Sequence, residues 1–470
     1  MRKITLLLTI CFVIGYVLPS LAQGSFSTSL HKTRNGKPTW YNSENGGFET
    51  LTNVTIEDIG CVECHDANDA NGDPYPATGY TPDCVDCHAT NTPPFPGPVT
   101  QADCLGCHGR EAAIINKGIP DVHRNASTPF VCMDCHKKEE LHGDDGIEHG
   151  SMFDPGAIQT DCQQAGCHVS VVSNSEHDQH GANIHCTSCH ASTNLTCYNC
   201  HFESQLVHKK RAYKQLTNFM ILVNRDKDGK VHPATFQSLS YEGNTWVAMG
   251  PSVAHTITKD NARTCADCHA NFGGTIPAID DYNAGGGMKF ATWNASDSTL
   301  SHLEGIIPLP VDYKYSFKMD FITYNGDPND PLPTPNNKDW SLVKEDADGF
   351  QLLYATPLTK YQMAKLGMDT LLVSVERQIN SMPDNFSLEQ NYPNPFNPST
   401  TIRFSLPQRS EIELVVYDAL GNQIETLLRG DHNAGTYEVD FDATGLSSGI
   451  YFYQIKSASF TETRTLVLMK

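Results

Sequence analysis

One short pattern recurs eight times between Cys61 and His269 and restricts the fold more than any other feature of the chain. It reads Cys61-Val-Glu-Cys64-His65, Cys84-Val-Asp-Cys87-His88, Cys104-Leu-Gly-Cys107-His108 and Cys132-Met-Asp-Cys135-His136. A stretched copy follows, Cys162-Gln-Gln-Ala-Gly-Cys167-His168, and then Cys186-Thr-Ser-Cys189-His190, Cys197-Tyr-Asn-Cys200-His201 and Cys265-Ala-Asp-Cys268-His269. C-x-x-C-H is the attachment pattern of c-type haem. Two thiols add across the two vinyl groups of one ring, and the adjoining histidine lies beneath the iron as its first axial ligand. Zinc also uses C-x-x-C pairs but needs only four ligands per metal. It gives no reason for a histidine directly after every second cysteine. Eight covalently attached haem c groups are therefore expected, the longer spacer of the fifth copy bulging around the same ring.

The cysteine tally closes on this reading. Of 17 cysteines, Cys11 lies in the apolar run at the start of the chain, and the motifs use the other sixteen. None remains for a disulfide, a free nucleophile or an iron–sulfur cluster.

The start reads Met1-Arg2-Lys3, then an apolar run from Ile4 to Leu18, then Ser20-Leu21-Ala22. A charged head, a short apolar stretch and a small-x-small site form a secretory leader, expected over 1–22 with cleavage after Ala22. The run is short for a membrane span, and no other stretch is apolar enough to cross one. Export suits haem c, which is attached outside the cytoplasm. The formal charge of −21, before any haem propionates, argues against a nucleic-acid partner, since neutralising phosphates requires a basic face. It suits a soluble exported particle.

Residues 23–60 read as an N-terminal arm punctuated by Asn35-Gly36 and Asn45-Gly46-Gly47. The haem-bearing domain is expected over 61–320: mostly coil with short helices at the motifs, a few β-hairpins, and haems supplying most of the apolar core. Uneven motif spacing argues against a stacked repeat. Two hairpins are predicted, Phe219–Val223 with Lys230-Val231 and Gln237–Tyr241 with Thr245–Met249. The intervening Asn224–Gly229 loop has some calcium-loop offsets but Thr235 at its twelfth position, and is taken as a turn. Residues 321–384 read as a wrap and linker, with a short helix from Thr356-Pro357 to Gly367.

From 385 to 470 short alternating runs appear at Thr400–Leu406, Glu411–Tyr417, Gln423–Leu428, Thr436–Phe441, Ile450–Lys456 and Thr463–Met469. Separated by turn residues, they predict a small antiparallel β-sandwich of Ig-like type. Asn391-Tyr392-Pro393-Asn394-Pro395-Phe396-Asn397-Pro398, Tyr417-Asp418-Ala419-Leu420-Gly421 and Gly449-Ile450-Tyr451 resemble the C-terminal sorting domain of type IX secretion cargo. The resemblance implies recognition by the type IX secretion machinery and release or attachment at the cell surface; an adhesive or spacer domain is the plainer alternative.

An all bis-histidine protein needs a second histidine for each motif histidine (His65, His88, His108, His136, His168, His190, His201 and His269). The first candidates are His123, His142, His149, His180, His208, His255 and His302, followed by His185, whose reach is limited by Cys186. His31, His177 and His232 are expected at the surface or as supporting residues. Met133 and Met249 are more naturally packing material than ligands.

Two strong axial ligands close an iron and leave it outer-sphere electron transfer. Through its motifs the chain resembles exported multihaem cytochromes of extracellular electron transfer. That resemblance implies redox-protein partners or other multihaem cytochromes, an extracellular electron acceptor, and compatibility with self-association into filaments, His31 being one ligand that could cross a subunit contact. In haem number it also resembles octahaem reductases of the tetrathionate-reductase and hydroxylamine-oxidoreductase families. These would act on a small nitrogen or sulfur oxyanion at one open haem. No C-x-x-C-K motif is present.

Overall fold

The computed structural model describes residues 26–33, 35–54, 83–88, 97–164, 166–201, 214–252, 255–327, 339–370, 376–378, 385–408, 410–432 and 435–470. The leader, the first motif and His208 lie outside these residues, and the side chains of Cys197, Cys200 and His201 are not described. The chain divides into two compact units, one of residues 1–263, 292–301 and 320–356, the other of 264–291, 302–319 and 357–470.

In the first unit, β-branched and aromatic residues after position 214 form long strands that the sequence pattern captures only in part. The strands are β1 (Asn194–His201), β2 (Lys214–Arg225), β3 (Val231–Tyr241) and β4 (Asn244–Pro251). Both expected hairpins are present: Ile221 pairs with Ala234 across β2 and β3, and Tyr241 pairs with Asn244 across β3 and β4. Glu242 and Gly243, between β3 and β4, both have positive φ, the requirement of the two-residue turn that matches strand twist. β1 lies between β3 and β2, parallel to β3 and antiparallel to β2. Gly349–Leu352 adds to β4 in parallel and Ala355–Thr356 to β2. Part of the segment read as a wrap thus supplies strands to this sheet.

This corrects the expectation of mostly coil with haems as the main core. Leu195, Tyr198, Phe219, Met220, Ile221, Val223, Phe236, Leu239 and Val247 are buried among protein side chains. At about 25 cal/mol per Å² of apolar surface, each large side chain contributes roughly 1.5–3 kcal/mol. The unit has an apolar core of its own. Among the described residues no helix is long and apolar enough to cross a membrane.

The arm is pinned to the sheet. Phe48 is buried against Trp246, Leu239 and Ala248, with Trp40, Tyr41 and Leu51 around it. Trp246 Nε1 donates to Gly46 O at 3.2 Å, and Gln351 Nε2 donates to Thr39 O and Asn45 O at 3.1 and 3.0 Å. A Cβ at Gly250 would collide with the Trp40 indole, so glycine is what lets the arm approach β4. This anchorage places the short helix Leu30–Thr33 beside the helix Lys138–His142.

In the second unit the helix Pro277–Gly285 starts with proline in its first turn and stops at Gly286 in the left-handed conformation. The helix expected from Thr356-Pro357 starts later, at Lys360, because Thr359 and Gln362 form a capping box; it ends at Gly367 as expected. The C-terminal strands Ser399–Leu406, Ser410–Tyr417, Gln423–His432, Gly435–Asp442, Gly449–Ser457 and Thr461–Leu468 each overlap a predicted run. They fall into two four-stranded sheets, one centred on 399–406 with 435–442, the other on 410–417 with 449–457. Ile402, Phe404, Val439 and Phe441 of one sheet share a buried core with Leu414, Val416, Tyr453 and Leu466 of the other, the packing of a β-sandwich.

Candidate haem-binding sites

Each motif needs its two thiols and its histidine presented along one face, and a single helical turn does this. Helices or 3-10 turns cover Cys84–Asp86, Gln101–Leu105, Cys132–Cys135, Cys186–His190 and Cys265–Cys268. The aspartate of the C-x-D-C-H copies caps that turn from inside. Asp86 accepts from Asp83 N, Asp134 from Val131 N and Asp267 from Thr264 N, each at 2.7 Å. These contacts satisfy amides that a helix start leaves without partners. The turn closes when the histidine amide donates to the first cysteine carbonyl, at 2.7 Å for His88 and 2.9 Å for His108, His136 and His269. The stretched copy keeps the same closure, His168 N donating to Cys162 O at 3.1 Å. Its extra residues are absorbed around Gly166, which has φ +87°. The seventh motif departs from the expected helix, since Cys197–His201 continues strand β1.

Five motif histidines face a second histidine ring. His88 faces His142 with ring centroids 6.4 Å apart, His108 faces His31 at 6.2 Å, and His136 faces His255 at 6.4 Å. His168 faces His123 at 6.1 Å and His190 faces His177 at 6.2 Å. Two metal–imidazole bonds of about 2 Å, with ring radii of a little over 1 Å, put the centroids of a bis-imidazole centre about 6.3 Å apart. The residues therefore fit a six-coordinate haem iron at each of these five places. Among the described residues no group of three or more His, Cys, Asp or Glu side chains converges as a structural zinc site requires.

The ring nitrogens are ordered in the same sense. His177 Nδ1 lies 2.7 Å from Val172 O, and His190 Nδ1 lies 3.1 Å from Thr258 O. His31 is also hydrogen-bonded to the Leu141 backbone. A carbonyl partner fixes the proton on Nδ1 and leaves Nε2 as the bare, metal-binding nitrogen. Desolvation lowers the pKa of His31 and His88, assisted by the facing His108 and His142 respectively, which favours the neutral ring. His136 has a different partner, its Nδ1 lying 2.6 Å from Glu140 Oε1. Burial opposes the charge on Glu140, but hydrogen bonds from His136, Thr160 and Gln159 prevail and bring its pKa down to about 2.

Two sequence candidates, His149 and His185, have surroundings that oppose ligation, whereas His180 and the motif histidine His269 share the Nδ1-to-carbonyl contact of His177 and His190. His149 is buried with Nε2 2.9 Å from Asp145 Oδ2, so that nitrogen is already taken. His185 stacks on His232 with centroids 4.2 Å apart, too close for an intervening iron. His180 Nδ1 lies 3.0 Å from Glu176 O, and the His302 ring lies 6.2 Å from that of Phe290. His269 of the eighth motif has Nδ1 2.6 Å from Lys365 O. His31 and His177, expected at the surface, are the two pairing histidines that the sequence reading set aside. His177 shares with His123 a position nine residues ahead of a motif, a signal that could have found it. His31 carries no local signal.

The attachment points also adjoin one another in chain order. Cys104 is close enough to Cys87 to feel its charge and lies within hydrogen-bonding reach of Cys132. Cys135 lies near enough to Cys167, and Cys162 to Cys186, for the second thiol to shift the first. The second to sixth motifs form one unbroken series.

Comparison with known families agrees with both ends of this picture. Residues 78–168 match the cytochrome c3 family, and residues 390–469 match the secretion system C-terminal sorting domain. No curated protein matches the chain. The cytochrome c3 match implies haem c binding and electron transfer with redox partners. The sorting tail directs export by the type IX secretion machinery and marks a secreted or surface-attached protein.

Proposed function

We propose that this exported chain is an octahaem conduit that passes electrons in several steps toward an acceptor outside the cell. The observation that carries the reading is the set of five histidine pairs at iron-spanning distance, whose attachment cysteines adjoin from the second motif to the sixth. Bound haem c supplies one-electron exchange between ferric and ferrous iron. The chain would do the rest: its sixteen motif cysteines would fix the rings, the five histidine pairs would each hold an iron between two imidazoles, and the short turns would keep successive rings together. Two imidazoles per iron favour low potentials within the roughly 0.8 V range that axial ligands span, which suits electrons leaving respiration.

Intact mass of the exported protein tests the stoichiometry, and low-temperature EPR tests the ligation. Eight added haems with low-spin signals only are expected. Fewer haems refute the octahaem reading. A high-spin ferric signal that responds to nitrite or hydroxylamine would replace the conduit with a reductase whose open iron belongs to the first, seventh or eighth motif.

A further inference from the structure

The centre at Cys132 and Cys135 differs from its neighbours in what stands behind its two histidines, and this inference rests on the bis-histidine reading above. Glu140 Oε1 meets His136 Nδ1 at 2.6 Å, and the Glu140 side chain is only 4 % exposed. Its other oxygen is held by Gln159 N at 2.8 Å, Thr160 N at 2.7 Å and Thr160 Oγ1 at 2.9 Å. The carboxylate therefore cannot swing away. Across the same site, Glu111 Oε1 lies 3.7 Å from His255 Nδ1.

Three of the other paired rings have weaker bases behind them. His177, His190 and His31 have neutral backbone carbonyls as partners. Asp121 Oδ1 stands 3.4 Å from His123 Nδ1 but also accepts from the amides of His123 and Arg124, whereas the backbone contacts of Glu140 fall on the oxygen that does not face His136. A carboxylate that accepts Nδ1–H draws the proton toward itself and makes the imidazole a stronger donor. A stronger donor favours ferric over ferrous iron, and hydrogen bonding behind the axial ligand is one of the protein's levers on haem potential. The low dielectric around a buried carboxylate strengthens the effect.

We propose that Glu140 and Glu111 are positioning residues that make the haem at Cys132 and Cys135 the lowest in potential of the five paired centres. Its attachment cysteines adjoin those of the third and fifth motifs. With haem bound, this centre would be the uphill step between its two neighbours.

The test uses the full exported protein with Glu140→Gln and Glu111→Gln made separately, followed by redox titration monitored by EPR. Glutamine keeps an acceptor oxygen for Nδ1–H and removes the charge. The lowest midpoint is expected to rise in Glu140→Gln, with a change in the g-values of one low-spin signal and the other midpoints unmoved. Glu111→Gln should move the same midpoint by less, and it reads the same centre from the opposite face if Glu140→Gln does not fold. Glu140→Asp should restore part of the shift. Full haem content and low-spin spectra with unmoved midpoints would overturn this inference while leaving the conduit intact. Loss of haem stoichiometry in the unsubstituted protein would overturn the conduit reading itself.

Discussion

Replacing His31 with alanine isolates the least expected of the paired histidines. Its ring stands 6.2 Å from that of His108, the separation of two imidazoles with an iron between them. Alanine ends at Cβ and reaches nothing at that distance. The iron at Cys104 and Cys107 should become five-coordinate and high-spin in His31→Ala, while the partner rings at the other four pairs stay in place. With eight motifs per chain, the low-spin EPR intensity should fall by about one-eighth, and a high-spin ferric signal integrating to about one iron per chain should appear. The midpoint of that centre should rise by on the order of 0.1 V or more, given the range that axial ligands command. Added imidazole should restore the low-spin state. His149→Ala is the matched control: His149 Nε2 is held by Asp145, so the spectrum should not change, and stability should fall by about 1 kcal/mol for the lost hydrogen bond. A wholly low-spin His31→Ala protein, or the same high-spin signal from His149→Ala, would refute the assignment of ligands from ring separation.

Three further expectations concern the rest of the chain. Truncation before residue 385 should leave haem attachment intact but abolish release to the cell surface, read by fractionation and haem staining, because residues 390–469 form the sorting domain. Phe404 is fully buried in the sandwich core, so Phe404→Ala should cost about 3–5 kcal/mol in chemical denaturation of that domain within the full chain. Burial raises Asp312 from 3.8 to about 6, against hydrogen bonds from Tyr282 and Ser316 that pull it down. A carboxyl more easily protonated when folded subtracts nothing below its unfolded pKa, and its penalty grows as pH rises through the folded one. Asp312→Asn should therefore gain up to about 2–3 kcal/mol at pH 7.5 relative to the parent and nothing near pH 3; equal effects at both pH values would contradict the burial argument.

The sandwich was legible almost strand by strand, since alternation and turn residues are local signals and one face of each sheet is buried. The seventh motif was not, because helix at a C-x-x-C-H was inferred from the motif alone. Its strand conformation is set by pairing with β2 and β3, whose partner residues are 16 or more positions away. The long central sheet was under-read for the same reason: Gly349–Leu352 joins β4 from about a hundred residues downstream. Of the histidines that face another ring, five follow motif cysteines, and His123, His142 and His255 are among the spare histidines that the sequence offers as second ligands. His149 drew the same attention, but whether its ring nitrogen is free depends on Asp145, which only three dimensions reveal as its partner. His31 carries no local signal because its surroundings come from more than a hundred residues downstream: its ring meets the Leu141 backbone, and nearby Asn35 donates to Glu148 and His149.

Cysteines of the second to sixth motifs neighbour one another in space in the order they hold along the chain. Most folds depend on distant segments meeting, so inserting a segment disturbs the whole. If each motif holds a haem as proposed, duplicating or deleting one motif-bearing stretch at an end of the series would add or remove one carrier and leave the others in the same order. Path length becomes a property that gene length can tune one step at a time.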